Sequence, residues 1–436
     1  MKITIMAFAF ALAVPAGVRA QNPCTQIDDY IAPLQKLQVF SGAVLVVRGD
    51  TTLCERALGM ASIELGVAMR ADNIFRVASI SKSFTKALFG ILAERGRLRL
   101  NDSIARWLPA FPSASAITIQ MLLDHRAGVP NMNSLKYDEE ALLPNTLAAL
   151  VDTLATRSVA PSSLRRYSNG GFAVLARIIE LNEKTSYAEV LQREILEPLG
   201  LAHTAHEQDG AVIPRMAVGY QPAADSFGVM RRAPFQEMAT KTGGGSLVSD
   251  ARDMARWMKS IGRASIMSSA MWHTLFPTAD SLIEFSGRNP GFNSYVGRDT
   301  RADVTVVVLT NNYAASMAVD VGAAALQIAQ GRRPAPLLVR APEVAAQAYL
   351  DSLAGNYAVP GGVIPIPPGV PLELRRVGQN LVAFAKATAL DVLIPQGGRK
   401  FLARNAYMML EFDESRAGLK IKPLYRDGAF EARRIW

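Results

Sequence analysis

The chain has 436 residues, of which 50% are hydrophobic and 19% are charged. This composition excludes a disordered, collagen-like or coiled-coil protein, and a count of two cysteines excludes a multi-cysteine zinc module. The formal net charge is +9, but the basic residues are scattered as isolated pairs without interleaved aromatic residues. We therefore expect no nucleic-acid partner, and with four histidines in the chain we expect no metal and no cofactor.

The first twenty residues predict a secretory signal peptide rather than part of the fold. Lys2 supplies a positive start, residues 3–17 are all apolar or small, and small residues stand at the two positions that a signal peptidase reads. Cleavage near Ala20 would leave a periplasmic or secreted chain with no stable membrane span. Export would permit a disulfide between Cys24 and Cys54, and two unpaired thiols remain the alternative.

The apolar pattern along residues 21–330 predicts one α/β domain. Residues 40–48 predict a buried strand and residues 51–57 its hairpin partner. Apolar residues at helical spacing then predict a series of helices, at residues 80–95, 118–125, 172–182, 186–196 and 251–261. Two more strands and an alanine-rich helix follow, at residues 282–286, 303–310 and 314–330. This order predicts a sheet built from both ends of the domain, with a helical insert between them.

A second domain is predicted at the C-terminal end of the chain. Residues 331–343 are rich in proline and arginine, which favours a linker. Beyond them, glycine-containing turns separate seven short predicted strands, at residues 372–376, 380–385, 390–394, 400–404, 407–413, 419–425 and 430–435. These strands predict a small all-β domain over residues 344–436.

The sharpest chemical signal is an S-x-x-K pattern at Ser79 and Lys82. A second such pattern, Ser83 with Lys86, follows in the same predicted helix. The first is favoured because Ser79 lies at the helix start, where free N–H groups and the positive dipole end stabilise an oxyanion. The spacing places Lys82 on the same face, and a desolvated lysine can act as a base. Taken alone, Ser79 is equally typical of a helix N-cap, and Lys82 of a helix surface.

Two further segments complete a recognisable pattern: Tyr167-Ser168-Asn169, and residues 285–292 (FSGRNPGF) directly before an apolar strand. With them, the chain resembles the serine β-lactamase and penicillin-binding-protein superfamily, in particular the branch of class C β-lactamases, D-alanyl-D-alanine carboxypeptidases and related esterases. The supporting segments occur in the family's order, namely FRVASISKSFT, MLLDHRAGVP, YSNGGFAVLARIIE, EPLGLAHT, GGGSLVSDARDMARW and NPGFNSYV followed by VTVVVLTNN. The resemblance covers residues 40–330.

This resemblance implies a β-lactamase/transpeptidase-like α/β fold, in which helices and a helical subdomain flank an antiparallel sheet. The all-β tail resembles the small C-terminal domain of many members. The resemblance also assigns roles: Ser79 would be the acylated nucleophile, Lys82 its partner and Tyr167 the general base. Asn169 would bind the substrate amide and orient Lys82. The oxyanion hole would use the backbone N–H groups of Ser79 and Arg288.

One departure from the family pattern concerns substrate binding. The third family motif begins with a cation or polar group that helps to bind the substrate carboxylate, whereas this chain has Phe285-Ser286-Gly287. Residues 241–243 spell Lys-Thr-Gly, but no strongly apolar strand follows them, and we interpret them as a coincidental match. We therefore expect Phe285 to face the substrate carboxylate and to disfavour β-lactams and D-alanyl peptides relative to neutral esters or amides. Strand alternation would aim Arg288 to the opposite face.

The sequence thus predicts an exported serine hydrolase that forms an acyl-enzyme at Ser79. Its substrate would be an ester, an amide, a D-amino-acid peptide or a β-lactam, with cell-wall-derived material among the candidates. Two alternatives stay open: a non-catalytic binding protein on the same fold, and a cell-envelope interaction protein whose β-domain docks partners. The intact set of Ser79, Lys82, Tyr167 and Asn169 argues against the first alternative.

Overall fold

The computed structural model describes residues 22–131, 146–208, 210–277, 281–314, 317–360, 366–367, 369–424 and 428–435. The predicted signal peptide lies outside the described residues. Within the described ranges, no helix is both long and apolar enough to cross a bilayer. The described chain forms an α/β domain followed by a β-barrel.

Side chains cap several of the helices at the residue where each begins. Thr118, Ser168 and Asp250 each accept a hydrogen bond from the backbone N–H three residues later. In chain order, the α-helices are α1 Pro23–Lys36, α2 Ser81–Glu94, α3 Ile119–Leu123, α4 Leu147–Arg157, α5 Asn169–Glu183, α6 Tyr187–Leu191, α7 Glu197–Leu199, α8 Ala251–Ser260, α9 Ser269–Leu275, α10 Met317–Ala329 and α11 Gln347–Leu353. Shorter helical turns are Ala78–Ile80, Ile104–Arg106, Ala114–Ala116, Gln192–Leu196 and Met238–Lys241.

The main sheet of the α/β domain joins strands from both ends of that domain. The strands of the domain are β1 Gly42–Arg48, β2 Thr51–Leu58, β3 Met60–Ser62, β4 Val67–Ala68, β5 Phe75–Arg76, β6 Ala205–His206, β7 Tyr220–Pro222, β8 Met230–Arg232, β9 Leu247–Ser249, β10 Leu282–Asn289, β11 Phe292–Asp299 and β12 Val304–Thr310. Five of them form an antiparallel sheet in the order β10-β11-β12-β1-β2, in which Gly42 pairs with Thr310. This topology confirms the predicted sheet with a helical insert.

Helices cover both faces of this sheet, which explains why every residue of β12 is buried. Val307 and Leu309 face the core that β12 shares with the helical insert and α8. Val306 and Val308 alternate with them and pack against α1 and α10 on the other face. The sheet is therefore a fixed frame, and its edge strand β10 lies against the helical turn Ala78–Ile80.

The C-terminal strands close into an eight-stranded antiparallel barrel. They are β13 Gly355–Ala358, β14 Leu372–Val377, β15 Asn380–Ala385, β16 Thr388–Pro395, β17 Lys400–Ala403, β18 Met408–Phe412, β19 Gly418–Pro423 and β20 Phe430–Ile435. Val382, Val392 and Leu402 on the outer wall of the barrel pack into the same apolar cluster as α1 and α10. A separate C-terminal all-β domain is therefore present, and it is docked on the α/β domain.

A disulfide fixes the N-terminal helix to the main sheet. Cys24 of α1 is bonded to Cys54 of β2, with 5.1 Å between their Cα atoms. Arg56 of β2 also donates hydrogen bonds to both carboxylate oxygens of Asp28 at 3.0 and 3.1 Å. Of the two alternatives that the sequence left open, the structure shows the bonded pair.

Candidate active site

The nucleophile candidate lies on a tight turn at the entrance to α2. Ser79 is the middle residue of the helical turn Ala78–Ile80, one turn before the body of the helix. Ala78 is fully buried and has a φ of 50°, which lies in the left-handed region that non-glycine residues rarely adopt. The turn is held from the side by Ser81, whose hydroxyl donates to the Ala78 carbonyl at 2.6 Å and accepts the Leu247 N–H at 3.1 Å. The position of Ser79 is thus set by buried contacts.

Lys82 projects from the first turn of α2 and is buried. Its Nζ lies 3.1 Å from Ser79 Oγ, 2.7 Å from Asn169 Oδ1 and 2.6 Å from the Gly244 carbonyl oxygen. Burial, and next the charge of Lys241, lower the pKa of Lys82 to about 7. A neutral Lys82 amine would still donate its two N–H groups to Asn169 Oδ1 and the Gly244 carbonyl. Its lone pair could then accept the proton of Ser79 Oγ. The geometry and the low pKa make Lys82 a competent base.

Tyr167 approaches the nucleophile from the start of α5. Its hydroxyl lies 2.7 Å from Ser79 Oγ, and Lys82 Nζ lies 4.9 Å from the centre of its ring. Tyr167 is 44% exposed, and the burial of the remainder raises its pKa, while the hydrogen bond with Ser79 and the charge of Arg165 oppose that rise. The neutral phenol is therefore favoured in the resting site, where it can donate or relay a proton.

Asn169 is the first residue of α5, directly after the Ser168 cap. Besides accepting a hydrogen bond from Lys82, it donates one from Nδ2 to Asn131 Oδ1 at 2.9 Å. This second contact orients the amide so that its oxygen faces the lysine. The structure thus brings together Ser79, Lys82, Tyr167 and Asn169, the four side chains that the sequence grouped.

The second S-x-x-K pattern lies outside this cluster. Ser83 is buried, donates to the Ile80 carbonyl at 2.7 Å and accepts from the indole of Trp257 at 2.9 Å. Lys86 donates to the Leu275 carbonyl at 3.2 Å. These two side chains therefore support the packing of α2, which agrees with the preference for the first pattern.

Strand β10 forms the opposite wall of the site. A Cβ built on Gly287 would lie 2.8 Å from the backbone nitrogen of Ser79 and 2.3 Å from the Val77 carbonyl oxygen. Any side chain at this position would push β10 away from the nucleophile turn. Arg288 lines the cleft; it stacks 4.2 Å from the ring centre of Tyr313 and donates to the Tyr313 carbonyl at 3.0 Å. Backbone groups of β10 thus run close beside Ser79.

Phe285 occupies a different place from the one expected. Its ring packs edge-on against Phe276, with 5.7 Å between the ring centres, and joins the core of the helical insert. Ser286 and Gly287, but not Phe285, line the cleft among the described residues. The expectation that Phe285 faces the substrate carboxylate is corrected, because its partly buried apolar ring gains more from contact with the buried Phe276 ring than from a polar cleft.

Lys241 is the cleft residue that the sequence reasoning set aside. It ends the helical turn Met238–Lys241 and lines the cleft, and its charge contributes to the lowered pKa of Lys82. The Lys-Thr-Gly match is not on the strand where the family motif lies, yet its lysine reaches the site. The sequence feature that marks Lys241 is the literal Lys-Thr-Gly match, which the lack of a following apolar strand makes look coincidental.

The cleft has a volume of about 620 Å³, within the usual range for small-molecule sites. Polar and glycine residues dominate the wall of the cleft, including Ser79, Tyr167, Asn169, Gln236, Thr240, Lys241, Gly244, Gly245, Ser286, Gly287, Arg288, Asn289, Asn293 and Ser294. Two cations, Lys241 and Arg288, lie on this wall. The cleft therefore combines the Ser79 nucleophile, the two neighbouring acid–base side chains Lys82 and Tyr167, and positive charge.

Fold and site together define a protein of the serine β-lactamase and penicillin-binding-protein class. A family model described as Beta-lactamase matches residues 27–330, and the chain belongs to that family. Penicillin-binding protein 4 of Amycolatopsis lactamdurans is 29% identical over 231 residues, which cover 50% of this chain and 58% of that protein. The chain spans 42% to 62% of the lengths of the curated relatives that it matches.

Solved structures show the same fold. The octameric penicillin-binding protein homologue from Pyrococcus abyssi has a TM-score of 0.62 at 19% identity, covering 94% of this chain and 99% of that one. The likeness therefore extends over both domains. D-amino acid amidase from Ochrobactrum anthropi SV3, complexed with L-phenylalanine amide, has a TM-score of 0.62 at 21% identity, covering 71% of this chain and 98% of that one.

Proposed function

We propose that this chain is an exported serine hydrolase that cleaves esters or amides through an acyl-enzyme at Ser79. The observation that carries the proposal is the convergence on Ser79 Oγ of Tyr167 OH at 2.7 Å and Lys82 Nζ at 3.1 Å. A nucleophile within hydrogen-bond reach of a base, whose own position is fixed by a third group, is the arrangement that acyl transfer requires. Export is supported by the N-terminal sequence and by the Cys24–Cys54 disulfide.

In the proposed acylation step, the neutral amine of Lys82 accepts the Ser79 proton as Oγ attacks the substrate carbonyl. The N–H groups of Ser79 and Arg288 stabilise the oxyanion. Tyr167 then donates its hydroxyl proton to the departing amine or alcohol, and recovers a proton from Lys82. In deacylation, water attacks the acyl carbonyl and gives one proton to the Lys82–Tyr167 pair. The pair then returns a proton to Ser79 Oγ as the acyl group leaves. The general base inferred from the sequence, Tyr167, is thus assigned the proton relay.

The substrate is proposed to carry an anionic or strongly polar group beside the scissile bond. Lys241 and Arg288 line the cleft, and charge-assisted hydrogen bonds to a carboxylate are stronger than neutral ones. A D-amino-acid peptide or a β-lactam has such a group. The names of the relatives, penicillin-binding protein and D-amino acid amidase, support testing these two substrate classes first.

The test is covalent labelling of the purified mature protein with a fluorophosphonate probe, followed by peptide mapping. We expect the adduct on Ser79, loss of labelling in Ser79→Ala and unchanged labelling in the matched control Ser83→Ala. Lys82→Ala and Tyr167→Phe should each slow labelling about 100-fold, the scale of losing an acid–base group. Labelling that survives Ser79→Ala would refute the assignment, and complete absence of labelling would favour a non-catalytic binding protein.

A further inference from the structure

The interior of the C-terminal barrel is filled unequally along its axis. At one end, the rings of Tyr357, Phe401 and Phe412 pack together, with centre-to-centre distances of 6.1 and 5.6 Å. At the other end the strands present smaller side chains, and a cavity of about 520 Å³ remains. Its barrel lining is mostly apolar and includes Leu372, Ala383, Leu393, Ala403, Met408 and Ile421. The barrel is thus plugged at one end and hollow at the other.

The hollow end faces the catalytic cleft. Arg288 and Tyr313 line both the barrel cavity and the cleft that contains Ser79, so the two spaces adjoin. The barrel is clamped in this position by Arg404, whose guanidinium donates to the carbonyls of Ala223 and Ser226, each at 3.1 Å. A molecule bound at Ser79 that extends past Arg288 would therefore reach the barrel cavity.

Asp391 and Asn405 of the cavity lining each carry a side-chain oxygen that has no hydrogen-bond partner among the described residues and is closed to solvent. Asp391 is buried, and its Oδ2 accepts the backbone N–H groups of Asn405 and Ala406 at 2.8 and 2.9 Å. Its Oδ1 and the side-chain oxygen of Asn405 are buried without a donor. Because neither oxygen is open to the cavity, the surface that a ligand meets there is mostly apolar.

We propose that the barrel cavity binds an alkyl chain of the substrate whose carbonyl is attacked by Ser79. This inference rests on the proposed serine hydrolase function and names its substrate class: an amphiphile with a chain several carbons long. The volume of 520 Å³ lies in the range of ligand sites, and the apolar lining favours hydrocarbon over water. The substrate thus lies across both domains.

Ligand binding is tested without catalysis on full-length Ser79→Ala protein. Primary alkanamides from acetamide to decanamide are titrated against a bound apolar fluorescent dye. We expect affinity to rise about fourfold per methylene, as expected for hydrocarbon entering an apolar cavity, until the cavity is full. An affinity that does not depend on chain length would overturn the inference, whereas the labelling of Ser79 in the wild-type protein would still stand.

Cavity filling is tested by kinetics. In the wild-type protein, kcat/KM for a nitrophenyl decanoate should exceed that for the acetate at least about tenfold. Ala403→Leu places a larger side chain in the cavity and should abolish this ratio, and Ala389→Phe at the mouth serves as a second variant if the first does not fold. Ala387→Leu, at an exposed residue of the β15–β16 turn, is the matched control and should keep the ratio. An unchanged ratio in both cavity variants would refute the proposal.

Discussion

The imidazole of His125 stacks on the phenol ring of Tyr167, with 4.7 Å between the ring centres and 33° between the planes. Its Nδ1 also accepts the N–H of Ser168, the residue after Tyr167, at 3.1 Å. His125 is buried, and these contacts hold both the ring and the backbone of the segment that delivers the tyrosine hydroxyl to Ser79. These contacts predict a positioning role for His125, which the sequence did not single out.

Replacing His125 by alanine should misplace Tyr167 without removing any reacting group. We expect kcat to fall about 10- to 100-fold with little change in KM, since small displacements at a catalytic pair cost this much. His125→Asn, which can retain an acceptor for the Ser168 N–H, should recover part of the loss. His273→Ala, at an exposed residue of α9, is the control. A rise in KM at constant kcat would contradict the positioning role.

The buried His125 should also make stability depend on pH. Burial, and next the charge of Lys82, lower the pKa of His125 to about 4, below the value near 6.5 of an unfolded chain. Between pH 6.5 and pH 4 the unfolded chain therefore binds more protons, so the free energy of unfolding should fall as pH falls through this window. The midpoint of urea unfolding should be lower at pH 5 than at pH 7. The difference between the two midpoints should be smaller in His125→Gln.

Lys82 should set the acid limb of the activity profile. Because the neutral amine is the base and the pKa of Lys82 is lowered to about 7, kcat/KM should rise with pH through this value. Lys241→Gln removes a repelling charge, so the pKa of Lys82 should rise and the acid limb should move to higher pH. Lys184→Gln, at an exposed residue beyond α5, should leave the limb unchanged. A shift to lower pH in Lys241→Gln would contradict this assignment.

Phe285 should contribute to stability rather than to substrate choice. Phe285→Ala removes the edge-on contact with Phe276, and we expect a loss of about 1 to 3 kcal/mol, below the cost for a fully buried ring. The ratio of kcat/KM for a cephalosporin and a neutral ester should change less than about twofold. Thermal unfolding and parallel assays measure both quantities, and a large increase in the cephalosporin ratio would restore Phe285 to the substrate site.

The Cys24–Cys54 disulfide closes a loop with a sequence separation of 30 residues. On the loop-entropy estimate, the double variant Cys24→Ala/Cys54→Ala should lose about 3 to 4 kcal/mol of unfolding free energy. Chemical denaturation with and without reductant measures the loss, and reductant should have no effect on the variant. Equal midpoints for the oxidised wild type and the variant would refute a stabilising role.

The sequence predicts best those helices and strands whose formation depends on neighbouring residues. The helix expected at residues 80–95 is the turn Ala78–Ile80 followed by α2, because its apolar spacing and its glycine stop act within a few residues. Helix α1 was not predicted, since Pro33 inside it and its mixed polarity resemble a loop, and its stability comes from tertiary packing and the bond at Cys24.

The sequence predicts those residues of the candidate site that lie in short recognisable motifs. Ser79 and Lys82 share one helix turn, and Tyr167 and Asn169 belong to one short segment. Lys241 reaches the site from the helical turn Met238–Lys241 and His125 from the segment after α3, and no local pattern shows that these two segments meet. The orientation of Phe285 was also undetermined, because alternation along a strand assigns faces in pairs but does not say which face meets the cleft.

The pairing of β1 with β12 sets an order for folding in the cell. Val44 of β1 pairs with Val308 of β12, so β1 lacks one of its two neighbours until residues near the end of the domain are available. At 5 to 20 residues per second, synthesis of the intervening chain takes roughly 10 to 50 s. Such long-range pairing makes folding slow. The α/β domain should therefore stay open until synthesis has passed β12, and a chain that leaves the cell as we propose would meet its export channel still unfolded.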